Sequence, residues 1–153
     1  MQNALEAYYG GDHRAHAKCI FDAHIIGGID RLGFFSFEQC MFVAEMDSER
    51  VGMIHLVGKR QSTYKISHLI VVPKFQGRLG IGSLLLEYAK TYVCQRQSRQ
   101  IYCTVAEKNI VAMQFFIRKG FIRAGSSDSH YKNGVTEIMF YKPLDLYAQL
   151  ATN

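Results

Sequence analysis

The chain has 153 residues, of which 48% are hydrophobic and 20% charged, and its formal charge is +5. That length fits one domain large enough to bury a core without disulfide or metal staples. No run nears the roughly 18 apolar residues of a membrane helix, residues 1–12 lack the pattern of a secretory leader, and the Lys and Arg residues are scattered rather than striped, so a cytoplasmic protein without membrane or nucleic-acid partners is expected.

Asp12 is placed to cap a helix over 13–25, with Ala15, Cys19, Ile20 and Ala23 apolar and Gly27-Gly28 as its stop. Residues 29–39 read as loop plus a short helix and carry the aromatic pair Phe34-Phe35. Apolar runs at 40–46 and 51–59, joined by Asp47-Ser48-Glu49-Arg50, predict a hairpin. Arg60-Gln61-Ser62 then turns the chain into a third strand over 63–72. Pro73 ends it, because proline cannot donate to a ladder.

Gln76-Gly77-Arg78-Leu79-Gly80-Ile81-Gly82 follows and leads into a helix reaching about Gln95, with Leu85, Ala89 and Tyr92 on one face. A short buried strand is expected at 101–105. Residues 109–119 read as a second long helix, closed by Gly120. Strands at 121–124 and 135–142 flank a polar loop over 126–134. Tight early turns imply antiparallel pairing, and the helical crossover from 63–72 to 101–105 implies a parallel pair. The expected class is α/β of the α+β type: a mixed, mostly antiparallel sheet of about six strands flanked by helices. Cys19, Cys40, Cys94 and Cys103 form no CxxC or zinc spacing, so they read as free thiols and no metal is implied.

The chemistry begins at Pro73. A strand, three glycines within residues 77–82 and then a helix make a pyrophosphate cradle. Glycine lets the backbone approach a ligand, and the free amides of the helix start favour an anion. The dinucleotide fingerprint fails, since the pattern is GxxGxG rather than GxGxxG. The P-loop fails too, since Gly82 is followed by Ser83-Leu84 and not by Lys-Ser or Lys-Thr.

The segment resembles the acyl-CoA motif of the GNAT N-acetyltransferases, Q/R-x-x-G-x-G/A after a strand ending V-x-P. The glycines fall four and six residues after Gln76 rather than three and five, so either Leu79 is an insertion or Gly77 takes the Q/R place. A second stretch, Asn109-Ile110-Val111-Ala112-Met113-Gln114-Phe115-Phe116-Ile117-Arg118-Lys119-Gly120-Phe121, resembles the family's N-x-x-A-x-x-F-Y-x-x-x-G-F. Met139-Phe140-Tyr141-Lys142-Pro143-Leu144 resembles its last strand, and the likeness runs from about Phe42 to Leu144.

The resemblance implies a single N-acetyltransferase domain spanning the chain, which moves an acetyl group from acetyl-CoA, as co-substrate, to a primary amine by direct attack. It implies that the backbone of Leu69, Ile70 and Val71 pairs with the pantetheine arm. Gln76, Gly77, Arg78, Leu79, Gly80, Ile81, Gly82 and Ser83 form the pyrophosphate cradle. Asn109 contacts the cofactor and also suits a helix N-cap, and Phe116 supplies an apolar contact. The family often has Tyr at that place, as the acid for the departing thiolate; Phe has no proton to give. Tyr131, His130 or water are the substitutes, and a thiol with a pKa near ~8.5 is in any case a tolerable leaving group.

The family's usual carboxylate base is missing from 63–72 and 101–105. The nearest titratable residue is His68, with His55 on the neighbouring strand. Simple alternation groups His68 with Ile66 and Ile70, away from the Leu69 side, unless a bulge intervenes. The acceptor is expected between the loops 28–37 and 126–134, which offer Asp30, Arg31, Phe34, Phe35, Asp128, His130 and Tyr131. The alternative function is a non-catalytic acyl-CoA-binding or regulatory domain, which Phe116 would suit. Residues 1–11 read poorly as the strand with which the family usually opens, leaving an exposed sheet edge that offers a route to a homodimer.

Overall fold

A computed structural model describes residues 38–77 and 79–145, together with Arg14, Lys18 and Asp22. The expected opening helix is represented there by those three helical positions alone, and Phe34, Phe35, Asp30, Arg31 and Arg78 lie outside the described residues. So does the opening segment on which the expected sheet edge rests.

Three strands come first: β1 (Glu38–Met46), β2 (Glu49–Lys59) and β3 (Thr63–Val71). Two tight turns join them, with Asp47-Ser48 and Gln61-Ser62 both at positive φ. Paired left-handed residues match the twist of a hairpin. A single 3-10 turn at Pro73–Phe75 leads to helix α1 (Ile81–Gln95), then β4 (Gln100–Ala106), helix α2 (Ile110–Arg118), β5 (Ile122–Asp128) and β6 (Thr136–Pro143). The sheet order is β1-β2-β3-β4-β6-β5, antiparallel throughout except for the parallel pair β3-β4. This is the mixed α+β sheet the sequence predicts. No helix among the described residues is long and apolar enough to cross a membrane.

One element is longer than expected. β5 runs on through Ser126, Ser127 and Asp128, which the sequence places in a loop. All seven of its residues are exposed, and among the described residues it pairs on one side only, with β6. An edge strand with no buried face has no apolar alternation to betray it.

The core lies between α1 and one face of the sheet. Leu85, Leu86, Ala89 and Val93 of α1 pack with Ile54, Leu56, Tyr64, Ile66, Ile101, Cys103 and Phe140, all under 5% exposed. The helix sits close to β2 because Gly52 has no side chain. A Cβ there would meet the Ile70 carbonyl at 3.0 Å and Ile81 and Leu85 at 3.1 Å.

The outer strand is tied to α1 by a polar clamp on the same face. The Glu38 carboxylate accepts hydrogen bonds from the Tyr64 and Tyr92 hydroxyls and pairs with Arg96 Nε at 3.0 Å. The Arg96 guanidinium also lies 3.6 Å over the Tyr92 ring. Burial pushes the Glu38 carboxyl up, but the two tyrosine hydrogen bonds and the Arg96 charge more than offset this, and its pKa falls below the ordinary value.

A candidate acetyl-transfer cleft between splayed strands

Three features converge where β3 leaves β4. The parallel ladder holds only from Thr63–Gln100 to Ile66–Cys103. Past Ile66, β3 continues to Val71 with β2 alone as its partner, and β4 continues to Ala106 beside β6. The strands therefore part, and among the described residues the inner edge of residues 67–71 has no ladder partner. A backbone edge without a ladder partner is a place for an extended ligand to pair. Leu69, Ile70 and Val71, the residues expected to hold a pantetheine arm, lie on that edge.

The glycine-rich loop lies at the mouth of this gap. Gly77 and Gly80 both take positive φ, at 72° and 65°, and a Cβ at either would meet nothing within 4 Å. Gly80 is the N-cap of α1 in a left-handed conformation, and the first turn of the helix carries no acidic side chain. The amides of Ile81, Gly82 and Ser83 start the helix and have no intrahelical acceptor. Open space, free amides and the positive end of a 15-residue helix suit a pyrophosphate.

Gln76 has a different local role. Its side-chain Nε2 donates to the Val71 carbonyl at 2.8 Å, which folds the loop back onto the end of β3. Leu79 stands 58% exposed on the loop.

Helix α2 borders the cradle. Phe115 lies 3.6 Å from the position a Gly82 Cβ would take, beside Val71. Sequence reasoning passes over Phe115 in favour of Phe116, but Phe116 is the one turned inward. It is 5% exposed and packs edge-on against Phe115 and Phe121, with ring centroids 5.3 and 5.1 Å apart. Asn109 caps α2, its Oδ1 accepting from the Ala112 amide at 3.1 Å.

The second face of the sheet, opposite α1, carries the polar chemistry. His55 pairs with His68, whereas Leu56 pairs with Ile66, so Ser67 is an extra residue in β3. That bulge reverses the alternation. Tyr64 and Ile66 face α1 before it, and Leu69 and Val71 after it, all opposite the even-numbered residues Gly52 to Gly58 of β2. His68 therefore shares its face with Lys65 and Ile70, and the grouping with Ile66 expected from simple alternation does not occur. His68 is half-buried on the stretch of β3 that β4 no longer covers, and its ring stacks on that of His55 at 5.8 Å.

From the other side, the loop between β5 and β6 reaches back across β4. Lys65 Nζ donates to the Tyr131 hydroxyl, which also lies 3.2 Å from Thr104 Oγ1. Lys65 is on β3 and Thr104 on β4, so Tyr131 bridges the seam at the closed end of the gap. The loop is held by its own bonds. Ser129 Oγ accepts from the Gly134 amide at 3.0 Å, and Thr136 Oγ1 donates to Asp128 Oδ1 at 2.9 Å. Asp128 thus serves the loop. His130 packs edge-on against Tyr131, 4.3 Å between centroids.

Beside that seam is a pocket of about 190 Å³. Residues 124–127 of β5 wall it, with His130 from the loop and Thr104, Met139 and Glu137 from β4 and β6. Glu137 is 1% exposed. A search for a carboxylate on β3 and β4 alone misses it. The available signal was a lone acid at the head of the apolar and aromatic run Ile138-Met139-Phe140-Tyr141. Lys65 and Thr104 were likewise unmarked, because nothing in the sequence places the 126–134 loop over them.

Cys103, by contrast, faces α1. Burial pushes its thiol far above the ordinary range, with only partial opposition from the Lys65 charge, so it is a core residue and not a nucleophile.

Comparison with known proteins fits this geometry. Residues 34–142 match the model of the acetyltransferase (GNAT) domain. An uncharacterized N-acetyltransferase of Methanocaldococcus jannaschii is 31% identical over 113 residues, which cover 72% of this chain and 71% of the relative. One of Archaeoglobus fulgidus is 30% identical over 95 residues, 58% of this chain, and the match spans 64% of that relative's length. Among solved structures, a GNAT family acetyltransferase of Elizabethkingia anophelis with acetyl-CoA bound superposes with a TM-score of 0.68 at 15% identity, covering 83% of each chain. A strand edge that leaves its ladder, a glycine-rich turn at a helix start and a family match over most of the length agree: this chain belongs to the GNAT acetyltransferase family.

Proposed function

We propose that the protein is an N-acetyltransferase that takes acetyl-CoA as co-substrate and passes the acetyl group to a primary amine by direct attack. The observation that carries this is the parting of β3 from β4 after Ile66–Cys103, with the cradle at one end and the polar second face at the other. In this reading the inner edge of Leu69, Ile70 and Val71 holds the pantetheine arm. The amides of Ile81, Gly82 and Ser83 hold the pyrophosphate, and Phe115 closes the cradle on the α2 side.

His68 is the base. It stands on the acceptor side of the gap, where it takes the proton that the attacking nitrogen must lose. An imidazole titrates in the range where an amine can be neutralised at moderate cost. Tyr131 is the acid, and its hydroxyl returns a proton to the departing sulfur. The Lys65 ammonium, which donates to that hydroxyl, holds it at the seam. Positioning supplies the larger share of the rate, because the cleft turns a bimolecular reaction into one within a bound complex.

The test is thermal unfolding with and without acetyl-CoA, in the wild type and in Gly80→Asp, followed by CoA release against a panel of amines. The expected result is a cofactor-dependent rise in Tm that the substitution removes, because a carboxylate at the helix start repels the pyrophosphate. CoA release with an amine makes the protein an enzyme. Stabilisation without release points to the second reading, an acyl-CoA-binding domain, which Phe116 in place of the usual tyrosine favours. No stabilisation at saturating acetyl-CoA overturns both.

A further inference from the structure

We infer that Lys65 is a site of self-acetylation: with acetyl-CoA bound and no acceptor present, its ε-amine takes the acetyl group within its own molecule. The inference rests on the acetyl-transfer reading above and adds a modified residue to it.

The first observation is where the gap ends. β3 and β4 stay laddered from Thr63–Gln100 to Ile66–Cys103 and part beyond that pair. The glycine-rich turn follows the other end of β3, past Val71. An arm anchored at that turn and laid along the strand edge runs back past Val71, Ile70 and Leu69. Its acyl end comes last and points at the stop made by Ile66 and Cys103. Those two residues are 3% and 2% exposed and belong to the core under α1, so a nucleophile comes from the opposite face.

Lys65 stands on that face, one residue before the stop, between Val57 of β2 and Tyr102 of β4. Its Nζ donates to the Tyr131 hydroxyl and lies 4.9 Å from the centre of that ring. The same hydroxyl is 3.2 Å from Thr104 Oγ1, on β4 and one residue past the stop. The amine is thus drawn across the seam instead of sweeping through solvent. Lys74 makes the contrast. It follows the opposite end of β3, and its Nζ pairs with Glu49 at 2.6 Å. An amine held beside a thioester has the rate advantage of reacting inside one complex.

Lys65 gives up two of its three ammonium protons. His68, which the bulge at Ser67 brings onto the same face, takes the first and frees the nitrogen lone pair. That pair forms the C–N bond to the acetyl carbon while the C–S bond breaks with its electrons on sulfur. The second proton passes from nitrogen to that sulfur and leaves as the CoA thiol. Nothing is oxidised or reduced. The product amide keeps one N–H and no charge, so its bond to Tyr131 falls from a charge-assisted one to a neutral one.

The experiment incubates the protein with saturating acetyl-CoA and no amine, and follows each lysine by peptide mass spectrometry. Lys65 should be acetylated about tenfold or more faster than Lys74 and Lys108, the advantage of an amine already in the complex. Its rate constant should not change when the protein is diluted. Acetyl phosphate, which has no arm to follow the edge, should give Lys65 no such lead, and neither should acetyl-CoA with Gly80→Asp. Lys65→Arg should lose the fast adduct and keep the acetyl-CoA-dependent rise in Tm. Acetylation of Lys65 no faster than that of Lys74 and Lys108, a lead that persists with acetyl phosphate or in Gly80→Asp, or a rate constant that falls on dilution overturns the inference. Failure of acetyl-CoA to stabilise the wild type would instead overturn the acetyl-transfer reading.

Discussion

The two faces of the sheet differ in kind. The face under α1 is hydrocarbon, with Ile54, Leu56, Ile66, Ile101 and Phe140 sealed against one side of the helix, and a charged cluster around Glu38 lies at the outer strand. The opposite face of the same strands carries His55, His68, Lys65, Thr104 and Glu137. Neither face could do the other's work. A core tolerates polar groups poorly, and a transfer site needs groups that exchange protons. The same four strands, β2, β3, β4 and β6, serve both ends because side chains alternate, and what distinguishes the faces is register alone.

The comparison can be broken from the core side first. Leu86→Ala, at a position with 0% exposure, should cost about 2–5 kcal/mol of stability through lost burial and a residual cavity. Chemical denaturation reads it directly, and a loss below 1 kcal/mol would mean that α1 is not the lid of the core. On the opposite face, His68→Gln should lower kcat/KM at least a hundredfold, about 2.7 kcal/mol in the barrier. Its Tm should stay close to wild type and the acid limb of its pH profile should vanish. A variant that unfolds early with its pH profile intact would move His68 from the chemistry to the core.

Tyr131→Phe should cost less, about tenfold in kcat, since a thiolate departs tolerably without an acid. The deficit should shrink for a thioester with a more acidic thiol, and an equal deficit for both would assign Tyr131 to binding instead.

The smallest effect belongs to the clamp on Glu38. Its folded pKa is depressed, so its contribution is complete above the ordinary carboxylate value of 4.5 and is lost as pH falls through the lower folded value. Melting temperatures at pH 7 and below pH 4 should therefore fall less in Glu38→Gln than in the wild type. Parallel curves would show that the clamp stores no proton-linked stability.

Much of this was legible beforehand, and the exceptions have physical causes. β1 to β3 and both helices announce themselves by apolar periodicity and by Asp47-Ser48, Pro73 and Gly120 as punctuation. The glycine-rich turn before α1 is legible because three glycines ahead of a helix mark a loop that needs positive φ, as Gly77 and Gly80 do. β5 was cut short because an exposed edge strand leaves no pattern. The face opposite α1 was harder still. Its members come from β3, β4, β6 and the loop after β5, and no local spacing joins Lys65 to Tyr131, 66 positions away. Glu137 looked like an ordinary acid at the start of a strand until the ladders put Ala106 on one side of it and Ser127 on the other.

The extra residue at Ser67 makes β3 behave like a message with a shifted reading frame. Up to Ile66 the strand is written in one parity, and from His68 onward in the other. Pairing Ser67 in regular register would scramble that meaning: His68 and Ile70 would rotate under the helix, and Leu69 and Val71 would turn to the opposite face. Deleting Ser67 would instead leave every one of these side chains on its present face and remove only the bulge. A loop can gain or lose a residue with little consequence, whereas here one residue left out of the ladder decides which side chains reach the core along half a strand.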